Sequence, residues 1–288
     1  MWIIWALLAA VFSGVCVIFQ KKVASAGKVL QTAAVNVVIV VITVFLAALM
    51  RGKLPELALL SAKSWYLAAA AGLLQAASWI AYFLALRDAN VSLFMVLDKT
   101  GIIFAMLMAT LFLREQITLV MLLGSAAILL GTGLMAAPRS GGSRIFSREN
   151  RWMLWALLSA FLTAATNIVI KLDASPVDVT VLTLVRMSVV AMCLCLFARI
   201  KEGSFCILRM LGKRDKVLLF LSGAIMGLAY LCMYQALVTG TASAVTAITR
   251  AGFLISTLLA RIVFQERLSR KGVIGFCVVC LGASLFAV

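Results

Sequence analysis

Four ionisable residues, Asp98, Lys99, Arg186 and Arg250, stand near the middle of long apolar runs. A charge at the centre of a bilayer costs from ~3 to more than ~10 kcal/mol, so such groups must face a cavity or one another. Asp98 can neutralise only one of the three cations. The remaining positive charge suits an anion or a carboxylate-bearing zwitterion. Arginine adds two parallel donors matched to a carboxylate or phosphate. Ser243, Thr246, Arg250, Thr257 and Arg261 follow one another at intervals of 3, 4, 7 and 4, which places them on one helical face. Ser92, Lys99 and Thr110 make a sparser version of the same stripe. Two such stripes facing each other line a path. The alternative reading is that the charges pair and only fasten helices together.

Further candidates surround this set. Asn36 is the deepest polar group of its run and occupies the place of Arg186, while Gln75 and Gln235 offer orienting hydrogen bonds. Trp79, Tyr82, Phe83, Tyr230 and Tyr234 cluster in two matching runs, either as core packing or as faces on which a substrate stacks. The expected substrate-binding set is therefore Arg250, Lys99, Arg186, Asp98, Asn36, Gln75, Trp79, Tyr82, Tyr230, Tyr234, Ser243 and Thr246. Asp98, the only carboxylate inside a run, is the leading candidate for a coupled proton. Histidine is absent, so the groups for acid–base or metal catalysis are missing. No catalytic residue, metal or cofactor is expected. The seven cysteines lie mostly within apolar runs, where they behave as small hydrophobes rather than as a disulfide framework. Cys277 and Cys280 have no second pair to complete a metal site.

The elements that position these groups follow from composition. Hydrophobic residues make up 65% of 288, charged residues 12%, and the mean hydropathy is +1.14, far from the balance of a water-soluble domain. Continuous apolar runs near the ~20 residues that cross a bilayer as helix predict an all-α integral membrane protein with ten transmembrane helices. They fall at about 2–20, 29–50, 64–86, 91–113, 118–137, 152–170, 177–198, 217–238, 242–264 and 272 to the end. The runs do not alternate as barrel strands do. The net charge of +16 sits mainly in short loops and speaks for membrane topology rather than a nucleic-acid partner. Residues 138–151, rich in Gly, Ser and Arg, form a basic linker. It separates a first five-helix repeat at 1–137 from a second at 152–288.

The two halves repeat each other. Gly72 to Glu115 returns as Gly223 to Glu266, shifted by 151 positions, with Ser92 on Ser243, Lys99 on Arg250 and Gly101 on Gly252. Gly124 and Gly131 return as Gly275 and Gly282. An odd number of helices per repeat inverts the second copy, a transporter layout that supports alternating access. The glycines of spans five and ten permit close helix approach, between the halves or across a homodimer. Glu115 and Glu266, which end spans four and nine, are expected to bind loop backbone or basic side chains. Loop charge, with five basic residues on the N-terminal side against seventeen opposite, places both termini outside by the positive-inside rule.

Ala77-Ser78-Trp79-Ile80-Ala81-Tyr82-Phe83-Leu84-Ala85-Leu86, Val91-Ser92, Asp98-Lys99 and Leu111-Phe112-Leu113-Arg114-Glu115 resemble the EamA repeat of the drug/metabolite transporter superfamily. Tyr234-Gln235-Ala236-Leu237, Ser243 and Phe264-Gln265-Glu266 resemble it again in the second half. Many EamA repeats carry a proline early in the fourth helix; here neither does. The resemblance implies a secondary carrier in the cell (plasma or inner) membrane, often an exporter, for amino acids, metabolites or drugs. It also implies cytoplasmic termini, opposite to the charge tally. The expected function is export of a small polar anion or zwitterion through a central basic cavity, with membrane lipid as surroundings. The rival reading is a flippase for a lipid-linked anionic headgroup.

Overall fold

The computed structural model describes residues 2–23, 29–88, 97–136, 151–173, 177–203, 207–252, 254–255, 258–259 and 270–286. These residues build α1 (Trp2–Val23), α2 (Val29–Met50), a 3₁₀ turn (Leu54–Leu59), α3 (Ala62–Asp88), α4 (Gly101–Leu113) and α5 (Leu119–Ala136) in the first half. The second half holds α6 (Arg151–Leu172), α7 (Val179–Glu202), the single turn α8 (Ile207–Met210), α9 (Lys213–Thr239), α10 (Ala242–Arg250) and α11 (Arg270–Leu285). Among the described residues there is no strand. Five helices, Leu30–Met50, Ala62–Ala85, Trp152–Leu172, Val179–Glu202 and Lys213–Thr239, are long and apolar enough to cross a membrane. Trp2–Cys16, Leu119–Met135 and Lys271–Leu285 are shorter and apolar.

Local chemistry sets the ends. The Asp178 carboxylate accepts the Thr180 amide as the cap of α7, and Gly203, at φ +77°, stops that helix. Arg114 adopts the left-handed conformation to end α4. Two of the expected boundaries move outward. α7 runs on to Glu202 because nothing before Gly203 breaks it, and Lys213, Arg214 and Lys216 form the first turn of α9 rather than loop.

The fourth spans also differ from expectation, since neither is one uninterrupted helix. Before α4, the Thr100 amide and hydroxyl both donate to the Leu97 carbonyl, at 3.1 and 2.6 Å, and Ile103 donates to Thr100 at 2.9 Å. After α10, Gly252 donates to Thr249, Leu254 to Ala251 and Ile255 to Gly252. These are bonds between residues three apart, the tighter 3₁₀ spacing. No proline is involved. The Thr100 hydroxyl competes for a backbone carbonyl, and a glycine stands at each break, Gly101 and Gly252. Of the expected linker at 138–151, residues 138–150 lie outside the described residues, as do Ser92, Thr257, Arg261 and Glu266, while Arg151 is already the first residue of α6.

Helix packing exchanges the two halves. α1 packs on α9 as α6 packs on α3; α2 packs on α9 as α7 packs on α3; α1 touches α10 as α6 touches α4. Counterparts also pair with each other, α2 with α7 and α5 with α11. Both pairs run antiparallel. Arg51, at the C-terminal end of α2, bonds Asp178 at the start of α7, whereas Glu202, at the end of α7, accepts the Leu30 and Gln31 amides at the start of α2. Gly124 of α5 meets Gly282 and Gly131 meets Gly275, so the glycine faces of spans five and ten are used within the chain. Lipid offers no hydrophobic drive between helices, and such close backbone approach supplies van der Waals contact instead. Gly72, Gly223 and Gly227 serve α3·α7 and α9·α2 in the same way.

Candidate substrate cavity

The breaks in the fourth spans face a cavity of about 370 Å³. It lies between α1, α3, α6, α9 and α10, and its wall holds Asp98, Lys99, Arg250, Gln75, Trp79, Tyr82, Tyr230 and Thr246 from the expected set. Its size falls at the lower end of the ~300–1,000 Å³ typical of ligand sites.

Asp98 joins the two breaks. Its Oδ2 accepts from Lys99 Nζ at 3.0 Å, and its Oδ1 from Arg250 Nη1 at 3.0 Å. Arg250 Nη1 also donates to the Asp98 backbone carbonyl. The three charged side chains are mostly buried, with 20% of Asp98, 8% of Lys99 and 12% of Arg250 exposed. Two cations and one carboxylate leave one positive charge in excess at the wall. Gly101 makes the arrangement possible: an added methyl there would lie 2.8 Å from Arg250 Nη2. Thus the first residue of α4 has no side chain because the guanidinium from the other half occupies that space.

An aromatic face borders this cluster. The Trp79 ring lies 6.5 Å from Phe83, edge-on, and 6.3 Å from Tyr230. Tyr230 stacks on Tyr234 at 5.6 Å and 11°. The Arg186 guanidinium then lies over the Tyr234 ring at 3.3 Å, a cation–π contact. Trp79 and Tyr230 face the cavity; Tyr234 and Arg186 stand behind them, both fully packed. Arg186 donates to Thr183 Oγ1 at 3.4 Å, and its Nε has no partner. Asn36 is likewise outside the wall, donating to Ser222 Oγ at 2.7 Å in the α2·α9 contact.

Ser243 also lies away from the cavity, in an interhelical junction. Glu115 accepts the Ser243 hydroxyl at 2.9 Å and the Ala242 amide at 2.8 Å, capping α10. Lys171 Nζ bonds Glu115 at 2.7 Å and the Gly240 carbonyl at 2.6 Å. One carboxylate thereby ties together the ends of α4, α6 and α9 with the start of α10. Burial raises the Glu115 pKa, but the Lys171 ammonium, the Ala242 amide and the Ser243 hydroxyl outweigh it, leaving the carboxyl below its ordinary value.

The structure adds wall residues that sequence reasoning left out. Ser159, Thr163 and Asn167 line the cavity from α6, with Ser78 opposite and Met226 and Met233 from α9. Ser78 Oγ bonds Thr163 Oγ1 at 2.7 Å and donates to the Ser159 carbonyl at 2.9 Å. The spacing of Ser159, Thr163 and Asn167, two successive intervals of four, was the available signal for one polar face.

A cavity with a basic cluster at interrupted helices is a transporter feature, and comparison with known proteins decides the family. A model of the EamA-like transporter family matches residues 1–137 and again residues 150–288. This chain belongs to the EamA-like transporter family. As a family member it is a multi-pass membrane transporter. A Sinorhizobium protein described as an uncharacterized transporter in the cobO 3′ region is 35% identical over 137 residues, 47% of this chain and 96% of that protein. A protein solved by crystallography has the same fold, with a TM-score of 0.82 at 17% identity over 98% of this chain and 94% of that one.

Proposed function

We propose that this EamA protein is a secondary carrier of the cell membrane that exports a small anionic or zwitterionic metabolite by alternating access. Its ten spans form two inverted five-helix repeats, 1–137 and 152–288, joined by the linker at 138–151. The observation that carries the reading is the meeting of both interrupted fourth spans at one basic cavity, where Asp98 bridges Lys99 and Arg250. Arg250 and Lys99 bind the acidic group of the substrate, and Asp98 holds the two cations apart until it arrives. Gln75, Tyr82 and Thr246 orient the substrate while Trp79 and Tyr230 pack against it. Arg186, behind Tyr234, adds positive field without contact, and Asn36 and Ser243 hold the helices in register. The antiparallel pairing of α2 with α7 and α5 with α11 supports the inversion. The outward direction rests on the family resemblance.

Thermal unfolding of the purified protein in detergent, against amino acids, organic acids, phosphorylated metabolites and cationic drugs, tests the charge sign, because a ligand of the folded state raises the melting temperature. Anions or zwitterions should stabilise. Arg250→Met should abolish that response and transport in vesicles while the protein still folds. Unchanged transport would overturn the assignment, and stabilisation by cations alone would make Asp98 the centre of the site. Movement only of lipid-linked substrates would point to a flippase.

A further inference from the structure

The fold treats the basic side chains at its two ends differently. Where α2 and α6 finish, Arg51 pairs with Asp178, Lys53 with Glu56 and Lys171 with Glu115. At the opposite end, Arg199 and Lys201 close α7, while Lys213, Arg214 and Lys216 open α9. All five are exposed, and among the described residues none of them has an ion pair. Glu202 has both oxygens engaged by the Leu30 and Gln31 amides, and Asp215 is the one acid in the first turn of α9. Five cations against these two carboxylates leave an excess of positive charge on this rim.

The rim has a fixed shape. Gln31, fully buried at the start of α2, donates to the Glu202 carbonyl at 3.4 Å and accepts the Ile207 amide at 3.2 Å. Leu211, just after α8, packs in one cluster with Ile207, Leu219 and Ile39. The end of α7, α8 and the start of α9 are thereby joined through α2. Each long helix also carries an exposed apolar stripe that runs into its basic residues. On α7, Met192, Leu196 and Ile200 follow at intervals of four, with Arg199 beside the last of them. On α9, Lys213, Lys216, Val217 and Phe220 share one face. Long basic side chains at the end of an apolar stripe lay their stems on acyl chains and their charges among headgroups.

We propose that this rim is a binding surface for anionic phospholipid headgroups. Their phosphates meet the five unpaired cations, and their acyl chains cover Leu196, Ile200, Val217 and Phe220. A soluble acidic partner would satisfy the charges but leave those apolar residues uncovered, so the stripe and its basic end together fit a membrane surface. The preference is one-sided, because at the other end Arg51, Lys53 and Lys171 already have carboxylates of the protein. Each basic residue held near an anionic lipid surface strengthens the association about fivefold. None of this depends on what the cavity carries.

The test melts the full-length protein in detergent while phosphatidylglycerol, or phosphatidylcholine with the same acyl chains, is added in steps. Phosphatidylglycerol should raise the melting temperature at a lower lipid fraction than phosphatidylcholine, and salt at ~0.5 M should remove that advantage. Lys213→Gln combined with Lys216→Gln should weaken the response to phosphatidylglycerol roughly twenty-five-fold. Lys63→Gln combined with Arg114→Gln removes the same charge from exposed residues of the other end and should respond as the wild type does. Equal stabilisation by the two lipids would overturn the proposal, as would an equal loss in the two double variants. Glycerol phosphate or inorganic phosphate acting as strongly as phosphatidylglycerol would also overturn it, by showing a site for soluble anions. Should the α9 variant not fold, the salt series on the wild type decides: an advantage of phosphatidylglycerol that high salt leaves unchanged would overturn the basic rim as its cause.

Discussion

Gly101→Ala separates binding chemistry from fold stability. An added methyl would stand 2.8 Å from Arg250 Nη2, 2.9 Å from Cζ and 3.2 Å from Nη1. Relaxed contact needs ~3.5 Å, so the guanidinium must retreat by about 0.7 Å. The Nη1–Oδ1 contact with Asp98, now 3.0 Å, would lengthen to about 3.7 Å, past the limit of a hydrogen bond. Losing a bond to a charged group costs ~1.5–3 kcal/mol, offset by up to ~1 kcal/mol from replacing glycine in a helix. The folded state should therefore lose only ~0.5–2 kcal/mol. A substrate carboxylate meets the same displaced guanidinium without that offset, so its affinity should fall roughly tenfold to a hundredfold. Vesicle transport and binding titration, using whichever carboxylate compound stabilises the wild type, measure the effect. Gly133→Ala is the control, since nothing lies within 4 Å of the added methyl, and it should bind as the wild type does. Wild-type affinity in Gly101→Ala would refute the placement of substrate at Arg250.

Two further outcomes follow from groups outside the cavity wall. Because the Glu115 carboxyl is depressed below its ordinary value in the fold, its contribution is fully present above the unfolded pKa, ~4.3, and is lost as pH falls through the lower folded value. Melting temperature should thus fall more steeply on acidification below about pH 4.3 in wild type than in Glu115→Gln; parallel curves would refute the charged junction with Lys171. Arg186→Met gives up a cation–π contact worth ~2 kcal/mol but removes a buried charge whose desolvation costs several kcal/mol. Its melting temperature should be unchanged or higher, with substrate binding retained. A clear fall would mean that the guanidinium is needed to hold the Tyr234–Tyr230 stack.

The sequence made the helices legible because apolar run length and repeat register are local properties. The 151-residue shift matched Lys99 to Arg250 and Gly101 to Gly252, and the structure brings Lys99, Gly101 and Arg250 together beside Asp98. What register does not encode is which face of a helix meets which neighbour. Arg186 and Tyr234 read as cavity residues from depth and type alone, yet a stack of rings places them behind Tyr230. Asn167 did not enter the expected set, since only packing could show that its amide meets Thr246 at the cavity wall. Ser243 fits the stripe of α10 by spacing, and the Glu115 carboxylate claims it first.

The helix breaks show why the site sits where it does. A proline would interrupt the fourth spans permanently, because it removes a donor and clashes with the preceding turn. Here each break is made instead by glycine, and by a threonine hydroxyl in the first half, and the amides of Thr100, Ile103, Gly252, Leu254 and Ile255 keep acceptors three residues away. Such a turn can shift between the 3₁₀ and α spacings at little cost, because one carbonyl replaces another as acceptor. The Asp98–Arg250 pair crosses between the two breaks, so in the carrier proposed above a substrate carboxylate that takes Arg250 from the Asp98 carboxylate would loosen one fourth span from the other. In the carrier proposed above, that exchange of counter-ions at Arg250 would be the event that frees the halves to move.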